Sequence, residues 1–174
     1  MEGRLTETGR TNMQARDLYD LPWSGRCHCG HIGYEVTGAP KFVFACHCTD
    51  CQQLSASAYA IGMLLDSEAL VIDEGKLSEY AKTADSGVIS RQYSCGRCST
   101  WLYTAKDNTP ETVILRPSSL DDRAWVRPVA QIFTDSARPW ALLATAFSLP
   151  GNVEAPERLI EAFAASDIRP STLK

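Results

Sequence analysis

The amino-acid sequence predicts a mainly β protein: antiparallel sheets with a short C-terminal helix. Three observations lead there. Apolar residues come in short β-prone runs bounded by Gly, Asp, Ser or Pro, the mark of antiparallel strands and turns. The seven cysteines fall in three clusters beside those runs. The length of 174 residues suits one domain with a core of its own, able to be compact without metal.

The elements follow in chain order. Residues 1–22 read as a flexible polar leader ending at Pro22, and 23–174 as a single domain that holds all seven cysteines. The leader mixes Glu, Arg, Thr and Asp with no apolar stretch, so it does not read as a secretory signal, and a reducing cytoplasm is the expected location. Ile32 to Val36 alternates as a strand does, and Phe42 to Ala45 runs straight into Cys46. Thr49 to Leu54 lacks β-branched alternation and reads as a helical turn capped by Thr49. Strands are expected at Ala58 to Leu65, Leu77 to Ala81, Val88 to Tyr93, Trp101 to Thr104, Thr112 to Leu115 and Val129 to Thr134. Pro156 to Ala165 has helical spacing, with Leu159, Ile160 and Phe163 on one face. No apolar run is long enough to span a bilayer, so no membrane partner is expected. The formal charge of -4 gives no global electrostatic reason for nucleic-acid binding.

The cysteines carry the chemistry. Disulfides, metal and redox chemistry are the open readings. Cys27 and Cys29 are separated by one residue, as are Cys46 and Cys48, and a bridge across one residue strains disulfide geometry. In a reducing compartment such clusters point to metal. A closed tetrahedral zinc site takes four ligands, often two from each of two knuckles. Cys27 and Cys29 supply one pair, Cys95 and Cys98 the other. An iron in this four-cysteine site is the alternative.

Cys46, Cys48 and Cys51 then remain, with no obvious fourth ligand. Three protein ligands and a vacant position are the layout of a catalytic zinc. The competing reading is a second structural zinc completed by His28, His31, His47 or Asp50. His47 lies between two ligands, so its side chain is expected to point away from the metal. Three thiolates around a divalent ion leave a net charge of about -1, which suits thiol chemistry better than water activation.

These residues resemble the glutathione-dependent formaldehyde-activating enzyme family, which includes the centromere protein V relatives. The resemblance runs from Ser24-Gly25-Arg26-Cys27-His28-Cys29-Gly30 through Cys46-His47-Cys48-Thr49-Asp50-Cys51 and Tyr93-Ser94-Cys95-Gly96-Arg97-Cys98 to Leu120-Asp121-Asp122, Ile132-Phe133 and Trp140. It implies a β-tent fold, a structural zinc at Cys27, Cys29, Cys95 and Cys98, and a catalytic zinc at Cys46, Cys48 and Cys51. It also implies a carbon-sulfur lyase that joins glutathione and formaldehyde, or a related thiol and aldehyde, as an S-hydroxymethylglutathione synthase does. The alternative is a zinc-stabilised module that binds a protein or nucleic acid without catalysis.

The sequence departs from the family pattern at three places. Ser99 stands where Gly usually follows the last cysteine, and a left-handed backbone there would cost Ser on the order of 1 kcal/mol. Gln52-Gln53-Leu54-Ser55-Ala56 replaces a basic residue and a Ser-Gly step. Gln131 replaces a common His. Arg91, Arg97 and Arg138 are weighed as partners for substrate carboxylates against a solvated role. Trp23, Trp101, Trp125 and Trp140 are expected in packing, and Ser55 and Ser57 in capping or turns.

Overall fold

The computed structural model describes residues 19–73 and 75–170. Most of the expected leader, residues 1–18, lies outside the described residues. The rest of the leader is docked: Tyr19 is buried, its ring is stacked on Phe163, and the Trp23 indole donates to its carbonyl at 2.7 Å.

Eleven strands are described: β1 (Trp23–Arg26), β2 (Gly33–Val36), β3 (Phe42–Cys46), β4 (Ala60–Asp66), β5 (Leu70–Ile72), β6 (Leu77–Thr83), β7 (Ile89–Cys95), β8 (Trp101–Lys106), β9 (Thr112–Leu115), β10 (Ala130–Ile132) and β11 (Phe147–Ser148). Two α-helices, α1 (Thr49–Ser55) and α2 (Pro156–Ala165), accompany them. A three-stranded sheet has the order β1-β2-β5, and an eight-stranded sheet the order β11-β10-β3-β4-β9-β8-β7-β6. The pairing is antiparallel from β3 through β6, as expected, but β10 runs parallel to both β3 and β11.

Strand β3, inside the large sheet between β10 and β4, is buried at every position. Successive strand residues point to opposite faces. Phe42, Phe44 and Cys46 therefore share one face, and all three line a cavity of about 890 Å³. The same phase continues across the sheet. Leu64 of β4, Thr112 and Ile114 of β9, Thr104 and Lys106 of β8, and Ser90 and Gln92 of β7 face the same space. The sheet thus presents one chemically mixed wall to the end of β3, where the middle cysteine cluster begins.

Helix α2 starts with Pro156 at its first turn, where a missing N–H costs nothing, and buries Leu159 and Phe163. It packs on β3. Phe163 also holds Tyr19, so one ring joins both ends of the described chain. Phe163→Ala should lower unfolding free energy by about 3–5 kcal/mol; a denaturant titration followed by far-ultraviolet circular dichroism would measure it.

Candidate metal centres

The first cluster is built from two turns. Cys27 follows β1 and Cys29 sits in a tight turn that Gly30 closes with a φ of +74°. The Cys27 N–H donates to the Ile32 carbonyl at 2.9 Å, and the Ile32 N–H points at the Cys27 sulfur at 3.2 Å. Cys95 ends β7, and Cys98 lies three residues on in the second turn. There the Arg97 N–H points at the Cys95 sulfur at 3.4 Å, and the Gly96 N–H donates to the Lys76 carbonyl at 2.9 Å. A Cβ on Gly96 would fall 2.7 Å from that carbonyl, so the close approach requires glycine. Thr100 ties the two turns together. Its hydroxyl accepts from the His28 N–H at 3.0 Å and lies 3.1 Å from the Cys98 sulfur. Hydrogen bonds from the hydroxyl and amide of Thr100 hold the Cys98 thiol down to about 5.

The sulfurs of Cys27, Cys29, Cys95 and Cys98 all lie within 4.8 Å of one another. The Cys27–Cys29 separation is 3.6 Å and the Cys29–Cys95 separation 3.9 Å. A tetrahedron with zinc–sulfur bonds of about 2.3 Å has edges of about 3.8 Å. The four thiols therefore fit a thiophilic divalent ion, and the two turns meet across more than sixty residues of sequence.

The second cluster is local. Cys46 is the last residue of β3. Cys48 is the N-cap of α1, and its sulfur accepts from the Cys51 N–H at 3.4 Å. Thr49, expected as the cap, is instead the first helical residue, because the extended residue before the helix is Cys48. The sulfurs of Cys46, Cys48 and Cys51 lie within 4.8 Å of one another and line the 890 Å³ cavity.

Without a cation these three thiols cannot ionise together. The Cys46 thiol, then the Cys51 thiol, donates to the Cys48 sulfur and pulls Cys48 down to about 2. Cys46 is pushed far up in turn, by Cys48, by Cys51 and by burial. One thiolate shared among three sulfurs is the arrangement a soft cation would complete.

Of the residues weighed as a fourth ligand, three have other contacts. His47 is fully buried, its Nε2 donates to the Gln131 Oε1 at 3.2 Å, its Nδ1 has no hydrogen-bond partner, and it is not gathered with the three sulfurs. Asp50 pairs with Lys82. His31 lies beside Arg97 at the other cluster. Among the described residues no other His, Cys, Asp or Glu joins the three sulfurs.

The departures from the family pattern acquire physical roles. Gln131 accepts from His47 and from the Leu143 N–H, and donates to the Leu143 carbonyl and the Ser148 hydroxyl. Gln52 donates to the carbonyls of His47 and Ser136, so it fastens α1 to its surroundings. Ser55 donates to the Cys51 carbonyl at 2.6 Å, a turn role. Arg91 is occupied by Asp107 and Glu79. Arg138 borders a shallow surface depression with Ser57 and the exposed Trp140, and Trp23 packs on Trp125.

Sequence reasoning missed Arg116. It follows β9, is 6% exposed and faces the same cavity as the three cysteines. The only signal was its phase: Thr112, Ile114 and Arg116 are alternate residues, and the first two already point inward.

Ser99 has a φ of +60°, and its N–H donates to the Cys95 carbonyl at 2.9 Å, closing the second turn. That left-handed conformation penalises any residue with a Cβ. Ser99→Gly should therefore raise stability by about 0.5–1 kcal/mol, read as a shift in the denaturation midpoint at unchanged metal content.

The sequence profile described as glutathione-dependent formaldehyde-activating enzyme matches residues 22–136, which include all seven cysteines. A crystal structure of a Rhodobacter sphaeroides protein is similar at 20% identity, covering 60% of this chain and 91% of that one, with a TM-score of 0.46. No curated protein matches the chain. No helix among the described residues is long and apolar enough to cross a membrane. With the profile spanning well over half its length and both cysteine groups gathered, this chain belongs to the glutathione-dependent formaldehyde-activating enzyme family.

Proposed function

We propose that the protein is a zinc-dependent carbon-sulfur lyase acting on a thiol–aldehyde adduct, with glutathione and formaldehyde, or a related pair, as the partners. In this reading Cys27, Cys29, Cys95 and Cys98 hold a structural zinc, and Cys46, Cys48 and Cys51 hold a catalytic one. The observation that carries it is the three-sulfur centre at the cavity wall, with no fourth protein ligand among the described residues. Zinc held by three thiolates supplies a position at which an added thiol is kept ionised and nucleophilic.

The chain's own residues supply the rest. The rigid end of β3 and the first turn of α1 fix the sulfur positions before substrate arrives, so little ordering remains to be done. Phe44, Leu64 and Ile114 give the cavity an apolar wall that limits water near the aldehyde. In the forward direction a carbon–sulfur bond forms between the thiol sulfur and the aldehyde carbon. The carbonyl π electrons move to oxygen, which takes up the proton that the thiol gives up. The reverse direction breaks that bond and releases the aldehyde.

Two experiments test this reading. Cys95→Ser should cripple folding, because binding at a closed site is folding energy, whereas Cys48→Ser should lose one zinc and all activity but keep most of the fold. Thermal melts and elemental analysis report both. Equal, severe destabilisation by the two changes would make both zincs structural.

The second experiment follows the thiol. Glutathione should bind with proton release, visible in calorimetry across buffers of different ionisation enthalpy. Adduct formation with formaldehyde should then exceed the buffer rate and be lost in Cys46→Ser. A fully zinc-loaded protein that binds no thiol and leaves adduct formation at the buffer rate would replace the enzyme with a binding module.

A further inference from the structure

Arg116 is a charge buried with no carboxylate partner. It is 6% exposed, and it appears in none of the ion pairs among the described residues. Its contacts are neutral. Nη1 donates to the Ile61 carbonyl at 3.3 Å, Nη2 donates to the Thr104 hydroxyl at 2.9 Å, and the guanidinium lies 3.6 Å from the centroid of the Trp101 ring. Nε has no acceptor. Taking a guanidinium out of water costs several kcal/mol unless a negative charge repays it, and neutral hydrogen bonds with one ring face repay only part.

The structure places the missing negative charge. Ile61, whose carbonyl holds Arg116, pairs in register with Ala45, the residue before Cys46. Arg116 lines the same cavity as Cys46, Cys48 and Cys51. Of the other cations on that wall, Lys82 is bound to Asp50, and Lys106 is half-buried at the end of β8, two residues beyond the Thr104 that holds Arg116. Three thiolates around a divalent ion carry a surplus of about one negative charge, and an added thiolate doubles it. A guanidinium fixed in the same cavity wall offsets that surplus without competing as a ligand, because arginine has no lone pair to offer a metal.

We propose that Arg116 is the built-in counter-ion of the three-cysteine centre, a positioning residue that sets the centre's affinity for its metal and lets it accept an anionic thiolate as fourth ligand. The Thr104 hydroxyl, which itself donates to Gln92 at 2.6 Å, keeps its lone pairs toward the guanidinium and holds the charge in place. The inference rests on the reading that Cys46, Cys48 and Cys51 bind a metal.

Full-length chains carrying R116K, R116Q and R116M would be titrated with cobalt(II), reading thiolate-to-cobalt charge transfer, and with zinc against a competing chelator. A Cys48→Ser chain identifies the signal of the three-cysteine centre. R116M and R116Q should bind the ion at that centre about 10- to 100-fold more weakly, the usual size of a lost partner just outside the ligands. The four-cysteine site should keep its affinity and serve as an internal reference for folding. R116K should recover most of the loss, since it restores the charge but not the stacking. If R116M does not fold, R116Q, which keeps a polar side chain in the same wall, makes the neutral comparison. Wild-type affinity in the neutral variants, or an equal loss in R116K, would overturn the counter-ion. A wild-type chain that takes up only one ion would remove the centre itself, an outcome the wild-type titration shows before any variant is compared.

Discussion

Two cysteine turns far apart in the sequence must meet, and much of the architecture depends on that meeting. Cys29 and Cys95 are 66 residues apart, yet their sulfurs lie 3.9 Å from each other. The first turn hangs from the three-stranded sheet and the second from the end of β7 in the eight-stranded sheet, so their contact is where the two sheets are clamped. Neighbouring contacts reinforce it: the His28 N–H reaches Thr100, Gly25 bridges to Leu120, and Arg26 pairs with Asp121. Closing a loop of this length costs entropy that grows only slowly with length, whereas a bound divalent ion returns roughly 10 kcal/mol or more.

The second centre needs no such closure. Its three sulfurs come from six consecutive positions, and a strand end followed by a helix cap is enough to converge them. What it needs is a fixed platform. β3 is held by β4 on one side and β10 on the other, and Gln52 and Ser136 both bond to the His47 carbonyl between the ligands. The two centres are also linked mechanically through β7. Cys95 ends that strand at the closed site, while Ser90 and Gln92 of the same strand face the cavity. Loosening the clamp would therefore disturb the wall opposite the three sulfurs.

Which cysteines gather was legible in the sequence, because spacing within each cluster dictates which sulfurs can converge. So were the strands with clear alternation and both helices. The elements that escaped were those with no local signal. β1 carries Ser24, Gly25 and Arg26 and is a strand only because β2 pairs with it along its whole length. β5 and β11 are too short to alternate and owe their pairing to neighbours. The parallel placement of β10 is a tertiary fact: the Val129 N–H reaches the Val43 carbonyl across a chain segment that no periodicity marks. Cys48 was read for its place in the cluster but not as a cap, because a thiol is a weak acceptor until it ionises. Arg116 was passed over because charge is usually read as exposure.

Charge, more than shape, distinguishes the two centres. Four thiolates on a divalent ion leave a surplus of about two negative charges, but that site reaches the surface at Cys29, where water screens it, and amide N–H groups from Ile32 and Arg97 point at its sulfurs. The three-cysteine centre is more deeply set, and the amides of Cys51 and Asp50 point at the Cys48 sulfur. A smaller surplus in a drier place is felt more strongly. Burial lowers Arg116 to about 10, against the pull of Cys51, Cys46 and Cys48, so it still carries its proton at neutral pH. Arginine suits the place better than lysine because its planar guanidinium lies on Trp101 while its separate donors reach Ile61 and Thr104. The same fixed charge explains why the cavity wall around it is neutral and hydrogen-bonded, from Thr104 to Gln92 to Ser90. A carboxylate placed there would take the guanidinium for itself and leave the sulfurs with an unbalanced charge.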